Sequence, residues 1–371
     1  MGRDLFNDVG RRIGPGLITG AADDDPSGIA TYSQAGAQFG YALVWTLLLT
    51  TPLMIGVQML SARIGWATRE GLAANLAKLL PHGLALALVA LLVLANTLNI
   101  AADIGAMAQA VGLLAGGPPA LWVLGFGALC AGGQLLFSYE SALRTLKWLT
   151  LSLLSYVAVV LAVHVPLHEV LAGTVHPWQG LGQRFAAADY ASMVVAVFGT
   201  TISPYLFFWQ AAQEVEDDRR RPEAAALHDQ PAYAAEHLAR IKEDTWIGML
   251  FSNGVALCIM LATAVTLAGQ GLTTIHTAAQ AAEALRPLAG EFAFADIALG
   301  IVGTGLLAVP VLAGSAAYAV SDLFGWPAGA SHDLRQARGF HAIVMAATLL
   351  GLRRAWARPM LPRADHFGAN S

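Results

Sequence analysis

Charged residues are scarce in this sequence, and their scarcity excludes most functions that are carried out in water. Only 12% of the 371 residues are charged, against ~25% in soluble domains. The net charge of −4 gives no basic surface, which excludes a nucleic-acid-binding protein. Hydrophobic residues make up 56% of the chain and the mean hydropathy is +0.56, so intrinsic disorder is excluded as well. The composition predicts a protein of the lipid bilayer.

Cysteine is also scarce, and the two cysteines are too few for a disulfide framework or a zinc site. Cys130 and Cys258 both lie in long apolar segments. We therefore expect them to pack as small hydrophobic side chains, and the sequence predicts no resident cofactor.

Long apolar segments are what the sequence does contain. A helix needs ~20 apolar residues to cross the core of a bilayer, and nine segments are candidates. No soluble domain fits between them, because the longest hydrophilic stretch, residues 213–245, is predicted to be one loop. The nine segments are residues 13–36, 41–64, 84–114, 120–137, 148–163, 191–211, 246–268, 294–320 and 339–352.

The basic residues between these segments predict the orientation of the chain. With the N-terminus in the cytoplasm, Arg184 and Arg286 are the only basic residues of the connecting segments that fall outside the cell. This asymmetry is typical of membrane proteins, whose cytoplasmic loops carry an excess of Lys and Arg. We expect a multi-pass protein of the inner, cytoplasmic, membrane with a cytoplasmic N-terminus.

The last predicted span and the tail after it depart from this pattern. After nine spans the C-terminus would lie outside the cell, and the ninth span has only about 14 residues where ~20 are needed. Either this span is not fully inserted, or the natural sequence ends near Leu352 and the tail comes from a truncation or a reading-frame error; we expect the second. The tail, residues 353–371, contains no apolar run and carries Arg353, Arg354, Arg358 and Arg363.

An acidic interruption lies in the middle of the first apolar segment. Residues 23–28 read Asp-Asp-Asp-Pro-Ser-Gly; proline lacks an N–H and clashes with the preceding turn, and glycine weakens a helix. The pattern predicts a helix that stops and restarts halfway through the membrane, where free carbonyls and a carboxylate form an oxygen-lined cation site. In the alternative interpretation, two short pieces hold the acids in water at the membrane surface. Ionisable groups in hydrocarbon are costly and mark functional sites, which favours the cation site.

The sixth apolar segment has a matching interruption. Residues 199–204 read Gly-Thr-Thr-Ile-Ser-Pro, a small and polar cluster that ends in a helix breaker. An ordinary proline kink is the alternative, since such kinks are common in membrane helices. Two interrupted spans five helices apart favour an inverted-repeat transporter whose substrate site lies between the repeats.

Other polar residues of the apolar segments are weaker candidates. Asn99 and Asp103 are four residues apart in the third segment and share a helix face, where they line an ion path or, in the alternative, Asp103 is a buried acid bonded to its neighbours. Asn253 of the seventh segment is expected to join two helices. The acids that follow the sixth segment are expected to form a solvated charge cluster of Glu214, Glu216, Asp217 and Asp218.

The two interrupted segments resemble those of the NRAMP divalent-metal transporter family. The resemblance is greatest to its prokaryotic NRAMP-related branch, which includes magnesium transporters, and it covers residues 13–352. It implies an all-α membrane protein of the leucine-transporter type, with two inverted five-helix repeats and a metal between the unwound first and sixth helices. Residues 1–165 would form the first repeat, 166–188 an extracytoplasmic loop, 189–352 a second repeat without its tenth span, and 353–371 the atypical basic tail.

The resemblance also implies metal ligands in the two interrupted helices. The usual first motif is Asp-Pro-Gly-Asn, so Asp25 matches the metal-binding aspartate and Gly28 replaces the asparagine. The usual sixth-helix motif is Met-Pro-His-Asn, and Ser203 replaces its methionine. With the neighbouring polar residues Asp24 and Thr200, these three positions form the predicted metal site.

The residues that usually accompany this site are changed as well. Tyr205 replaces the histidine of the sixth-helix motif, and Gln210 stands where a second histidine is usual. The acidic pair of the third helix appears as Asn99 and Ala102, with Asp103 one position out of place. We treat Asn99, Asp103, Tyr205 and Gln210 as candidates for the ion pathway.

The residues that replace the usual motif residues favour a different class of metal ion. A thioether is a soft ligand that selects soft metals, whereas hydroxyls and carbonyls suit hard cations. Magnesium keeps several waters and needs few direct ligands, and the small residues Gly28 and Ser203 leave room for them. The loss of two histidines removes proton carriers. We therefore expect transport of Mg²⁺, with Mn²⁺ as a second substrate, and weak or no proton coupling.

Three alternatives remain at this point. The chain could be a proton-coupled Mn²⁺/Fe²⁺ symporter of the main NRAMP type, which the loss of methionine argues against. It could be an intramembrane aspartyl protease, but Asp25 and Asp103 are its only candidate acids and neither lies in a supporting motif. It could also be a truncated, non-functional family member. The sequence does not determine the oligomeric state, and it predicts a transporter and not an enzyme.

Overall fold

Helices form nearly all of the chain that the computed structural model describes, which is residues 15–136, 154–163, 165–178, 186–219, 230–268, 275, 277–329 and 336–357. The described helices are α1 (Pro15–Asp23), α2 (Pro26–Phe39), α3 (Val44–Thr68), α4 (Leu72–Leu79), α5 (His82–Ala115), α6 (Pro119–Leu136), α7 (Leu154–Ala162), α8 (Leu167–Val175), α9 (Ala187–Thr201), α10 (Pro204–Arg219), α11 (Pro231–Thr266), α12 (Ala278–Phe324) and α13 (Arg338–Ala357). A 3₁₀ turn, Gly40–Leu43, joins α2 to α3.

Several of the described helices are long and apolar enough to cross a membrane, which confirms a multi-pass protein. By length and composition the described residues contain five such helical stretches, and the apolar stretch Pro119–Leu135 is shorter. Each predicted segment lies largely in helix where it is described, and the first and sixth segments are interrupted at residues 24–25 and 202–203. Residues 13–14, 137 and 148–153 of these segments lie outside the described residues. The five stretches are Pro26–Thr68, His82–Ala115, Ala187–Arg219, Ala232–Thr266 and Phe294–Phe324.

The prediction of one loop over residues 213–245 is wrong at both of its ends. Helix α10 continues to Arg219, and α11 begins at Pro231, well before its apolar part. Residues 220–229, between these two helices, lie outside the described part of the chain. Proline at the first position of α11 suits a helix start, because the N–H that proline lacks would have no partner there.

The helix that contains the predicted ninth span is longer than that apolar segment of about 14 residues. Helix α13 has 20 residues and continues through Arg353 and Arg354 to Ala357. The two arginines are exposed, whereas Gly351 and Ala355 on the opposite face are buried. Cations in the last turn also complement the helix dipole, so the arginine pair extends this helix instead of ending it.

The acids after the sixth segment are largely buried, so the predicted solvated cluster is wrong. Glu214 accepts a hydrogen bond from Arg240 at 2.7 Å and lies 3.3 Å from His237, both on α11. Tyr318 of α12 donates to Glu216 at 2.5 Å. The hydrophilic start of α11 supplies Glu214 with the basic partners that a buried charge requires.

Helix α12 is the centre of the packing and supports the two interrupted helices. It packs along α5 and α13 and against α10, and residues 307–319 are buried at every position except Pro310. A helix that is apolar on all sides is expected in the interior of a bundle. Ser315 of α12 donates to the carbonyl of Tyr205 at 2.7 Å, which fixes the start of α10.

Candidate metal site

The break between α1 and α2 lies where the acidic interruption predicted it. Helix α1 ends at Asp23, and α2 begins at Pro26. Asp25 has extended backbone (φ −69°, ψ 161°), and its Oδ1 accepts hydrogen bonds from the Gly28 N–H at 2.6 Å and the Ser27 hydroxyl at 2.8 Å. A side-chain cap with proline at the next position is a strong start signal for a helix. The local sequence is therefore sufficient to restart the helix here.

The break between α9 and α10 confirms the second predicted interruption. Helix α9 ends at Thr201, Ile202 leaves the helical region (φ −107°, ψ 64°), and α10 begins at Pro204. The Ser203 hydroxyl donates to the Thr200 carbonyl at 2.6 Å, which satisfies a backbone group freed by the break. A simple proline kink is excluded, because the helical backbone is interrupted before the proline.

Two tyrosine hydroxyls join the breaks to each other. Tyr32 of α2 bonds Thr201 at the end of α9, with 3.1 Å between the hydroxyl oxygens. Tyr205 of α10 donates to the carbonyl of Ala22 at the end of α1, at 3.0 Å. Each restarted helix is thus bonded to the end of the other interrupted span, so the two breaks lie side by side.

A small space lined by oxygen lies at Gly28. A Cβ on Gly28 would lie 3.1 Å from Asp25 Oδ1, 3.2 Å from Thr200 Oγ1 and 3.4 Å from the carbonyl oxygen of Asp23. These oxygens come from both breaks, and glycine is the residue that leaves the space between them open. The structure therefore brings Asp25, Gly28 and Thr200 together.

Four carboxylates are buried around the two breaks, so the interpretation as a water-exposed loop is excluded. Asp23, Asp24 and Asp25 are at most 2% exposed, and Asp103 of α5 is fully buried. Asp103 Oδ1 accepts a hydrogen bond from the Ser27 N–H at 3.2 Å, which brings it to the restart of α2. None of the ion pairs seen among the described residues involves these four acids.

Two of the other pathway candidates, Asn99 and Gln210, lie apart from the breaks. Asn99 is half-buried on α5, and no hydrogen bond within the described structure joins it to either break. Gln210 is buried and donates to Thr245 of α11 at 2.9 Å. Tyr205 is used in the bond to the α1 carbonyl. Of the four candidates, Asp103 and Tyr205 are at the breaks.

Ser252 of α11 is a site residue that the sequence did not reveal. Its hydroxyl lies 2.7 Å from Asp23 Oδ2 and 3.3 Å from Asp24 Oδ1. Its neighbour Asn253 donates to the carbonyl of Leu47 at 3.1 Å, as expected of a residue that joins two helices. The two adjacent polar residues in an apolar helix were the available signal.

The donor atoms at the breaks are hard oxygens. Over the described residues, no group of three or more His, Cys, Asp and Glu side chains is placed to hold a metal ion. A cation here would therefore draw on carboxylate, hydroxyl and carbonyl oxygens together with water, which is the ligand chemistry of Mg²⁺, Ca²⁺ and Mn²⁺.

Removing the Tyr205 hydroxyl is expected to loosen the connection between the breaks. Tyr205→Phe leaves the Ala22 carbonyl without its donor, and we expect a loss of ~1 kcal/mol of stability, seen as a lower midpoint of thermal unfolding in detergent. Tyr156→Phe is the matched control, because the buried Tyr156 hydroxyl has no hydrogen-bond partner in the described structure and its removal should be neutral. Equal midpoints for both variants would contradict the bond.

Comparisons with a family profile and with individual known proteins both identify the same family. The profile of the natural resistance-associated macrophage protein-like family (Nramp) matches residues 16–357. The divalent metal cation transporter MntH of Mycobacterium tuberculosis is 26% identical over 333 residues, which are 85% of this chain and 71% of the relative. MntH of Aeromonas hydrophila is 27% identical over 308 residues, covering 79% and 69%.

A solved structure shares the fold. The manganese transporter of Eremococcus coleocola, crystallised with an aromatic bis-isothiourea compound, superposes with a TM-score of 0.70 at 16% identity, over 92% of this chain and 76% of that chain. This likeness confirms the predicted leucine-transporter-type fold.

Proposed function

Since this chain belongs to the Nramp family, we propose that it moves Mg²⁺, and Mn²⁺ as a second substrate, across the cytoplasmic membrane by alternating access. The chain is a divalent metal cation transporter of the Nramp type. It is not an enzyme, because the family and the relatives are transporters, and the protease interpretation is therefore wrong. The preference for a hard cation is the part proposed here.

One observation carries this proposal: the space at Gly28 is lined by oxygen from both breaks. Asp25 supplies a carboxylate, Thr200 a hydroxyl and Asp23 a carbonyl. Because Mg²⁺ prefers oxygen ligands and binds through one or two carboxylates, these hard oxygens suit it better than a site with a sulfur ligand would. We assign Asp25 as the principal ligand, Thr200 and Ser203 as hydroxyl ligands, Gly28 as the source of room, and Asp24 as the neighbouring acid.

The residues at the two positions where the family motif has histidine also support weak or absent proton coupling. Tyr205, in the histidine position of the motif, uses its hydroxyl in the bond to Ala22. Gln210 has no titratable group and bonds Thr245. Neither position can therefore take up and release a proton near neutral pH as histidine does.

Transport by the purified protein in liposomes tests both parts of the proposal. An Mg²⁺ indicator inside the vesicles should report saturable uptake, and a pH indicator should show no matching acidification. Uptake that requires a proton gradient and acidifies the interior would contradict the uncoupled mechanism. The absence of any Mg²⁺ uptake, with Mn²⁺ uptake intact, would contradict the preference for a hard cation.

A proton-coupled Mn²⁺ symporter is the second candidate, and the names of the relatives favour it. The relatives are named divalent metal cation transporter MntH, and the structural neighbour is a manganese transporter. Competition separates the two candidates: Cd²⁺ should inhibit a symporter with a soft site, whereas Mg²⁺ should inhibit a hard-cation transporter.

Restoring a thioether is expected to shift the metal preference. Ser203→Met would place a soft ligand at the second break, and we expect Cd²⁺ to compete for uptake about tenfold better, equivalent to ~1.4 kcal/mol. Ser203→Ala removes the hydroxyl without adding sulfur, so it is the control and should show no gain for Cd²⁺. The same gain in both variants would contradict the assignment of Ser203 as a ligand.

A further inference from the structure

We propose that the breaks bind two divalent cations at once: the transported ion beside Asp25, and a second ion between Asp23, Asp24 and Ser252. This inference rests on the proposed function for the first ion. The second position lies on the α1 side of the break, where α1 packs against α11. Its side chains lie outside the oxygen-lined space at Gly28; Asp23 contributes only its backbone carbonyl to that space.

Three oxygen atoms define the second position. Ser252 Oγ lies 2.7 Å from Asp23 Oδ2 and 3.3 Å from Asp24 Oδ1. Neighbouring ligands of an octahedral ion with 2.0–2.1 Å bonds are separated by ~2.9 Å. The two distances from Ser252 Oγ are close to this spacing, and waters can supply the remaining ligands of an ion bound here.

The carboxylates at this position lack enough partners of their own. A serine hydroxyl has one hydrogen, so Ser252 can donate to only one of the two acids at a time. Asp23 Oδ1 and Asp24 Oδ2 are buried and have no hydrogen-bond partner within the described structure. Buried charges are found paired or bound to metals, and neither acid takes part in an ion pair among the described residues.

The total charge of the buried carboxylates favours two bound cations over one. Asp23, Asp24, Asp25 and Asp103 are all buried and carry four negative charges when ionised. One divalent cation compensates half of that charge, and two compensate all of it. Two neighbouring cations also repel each other, so occupation of the second position favours release of the first, as between adjacent sites in channels.

Counting bound Mn²⁺ on the full chain in lipid nanodiscs tests this inference. We expect equilibrium dialysis to give two ions per chain, and electron paramagnetic resonance to show the broadened spectrum of two Mn²⁺ ions close together. Asp23→Asn and Ser252→Ala should each reduce the count to one and restore the six-line spectrum of an isolated ion. Ser61→Ala is the matched control: Ser61 is buried and, among the described residues, bonds the Val57 carbonyl of its own helix and nothing else, so two ions should remain.

The outcomes distinguish this inference from the proposed function. One Mn²⁺ per chain, unchanged in Asp23→Asn and Ser252→Ala, would overturn the second position and leave the first intact; protons would then balance the remaining charge. No binding of Mn²⁺ to the wild-type chain would overturn the proposed function itself. Ser252→Ala is a mild change, and it decides the question if Asp23→Asn does not fold.

Discussion

Asp25→Asn is expected to reduce Mg²⁺ uptake to the level of empty liposomes. Loss of an outer partner of a metal ligand typically costs 10–100-fold in affinity, so loss of the principal charged ligand should cost more than ~100-fold. Asparagine has the shape of aspartate and keeps one oxygen. The Gly28 N–H can therefore still be capped, and the effect is that of the missing charge. Uptake of Mg²⁺ by proteoliposomes, followed over a range of Mg²⁺ concentrations, measures it.

The control for this experiment is the same change at an exposed acid. Asp189 lies in the first turn of α9 and is exposed, so Asp189→Asn removes one negative charge away from the breaks. Its uptake should match that of the wild-type protein. If Asp25→Asn keeps more than a tenth of wild-type uptake at low Mg²⁺, Asp25 is not the principal ligand.

Gly20→Val is expected to prevent α1 from packing against α11. A Cβ at Gly20 would lie 2.3 Å from the carbonyl oxygen of Gly248 and 2.5 Å from its carbonyl carbon. These are backbone atoms of a helix and cannot rotate away, so one helix must move as a whole. Overpacking of this kind costs 1–3 kcal/mol or more, and we expect ~3 kcal/mol, seen as a large fall in the midpoint of thermal unfolding.

The same substitution elsewhere on α11 provides the control. Gly254 is exposed, and a Cβ there would meet no atom within 4 Å, so Gly254→Val should leave the midpoint nearly unchanged. Transport should also fail only in Gly20→Val, because α1 carries Asp23 and leads into Asp25. A similar loss of stability in both variants would mean that valine harms any glycine position of this bundle.

The breaks themselves could be predicted from the sequence because their causes are local. Proline at positions 26 and 204 suits the first position of a restarted helix, and Asp25 caps the restart of α2 within three residues of itself. Such interactions leave a pattern in neighbouring residues. The assignment of Asp25, Gly28 and Thr200 to one place needed only the further expectation that the two breaks meet.

Contacts between distant helices could not be predicted in the same way. Ser252 is 229 residues from Asp23, and a serine in an apolar helix can equally bond its own backbone. Asp103 is one position away from the acidic pair of the family motif, yet it accepts a hydrogen bond from the Ser27 N–H. The rotation of α5 about its axis, which decides this contact, is set by packing against other helices. The buried acids at the end of α10 were taken for solvated ones because their partners are on the distant helices α11 and α12.

The tyrosine bonds have a consequence for how the protein moves. Tyr205 ties α10 to the end of α1, and Tyr32 ties α2 to the end of α9; the same partners also pack together, α1 with α10 and α2 with α9. The four half-helices therefore form two pairs, α1 with α10 and α2 with α9, and one tyrosine hydroxyl joins the members of each pair. Helix α11 packs against both α1 and α2, so the two pairs share one support, and a shift of either pair would change the distances between the carboxylates at the breaks.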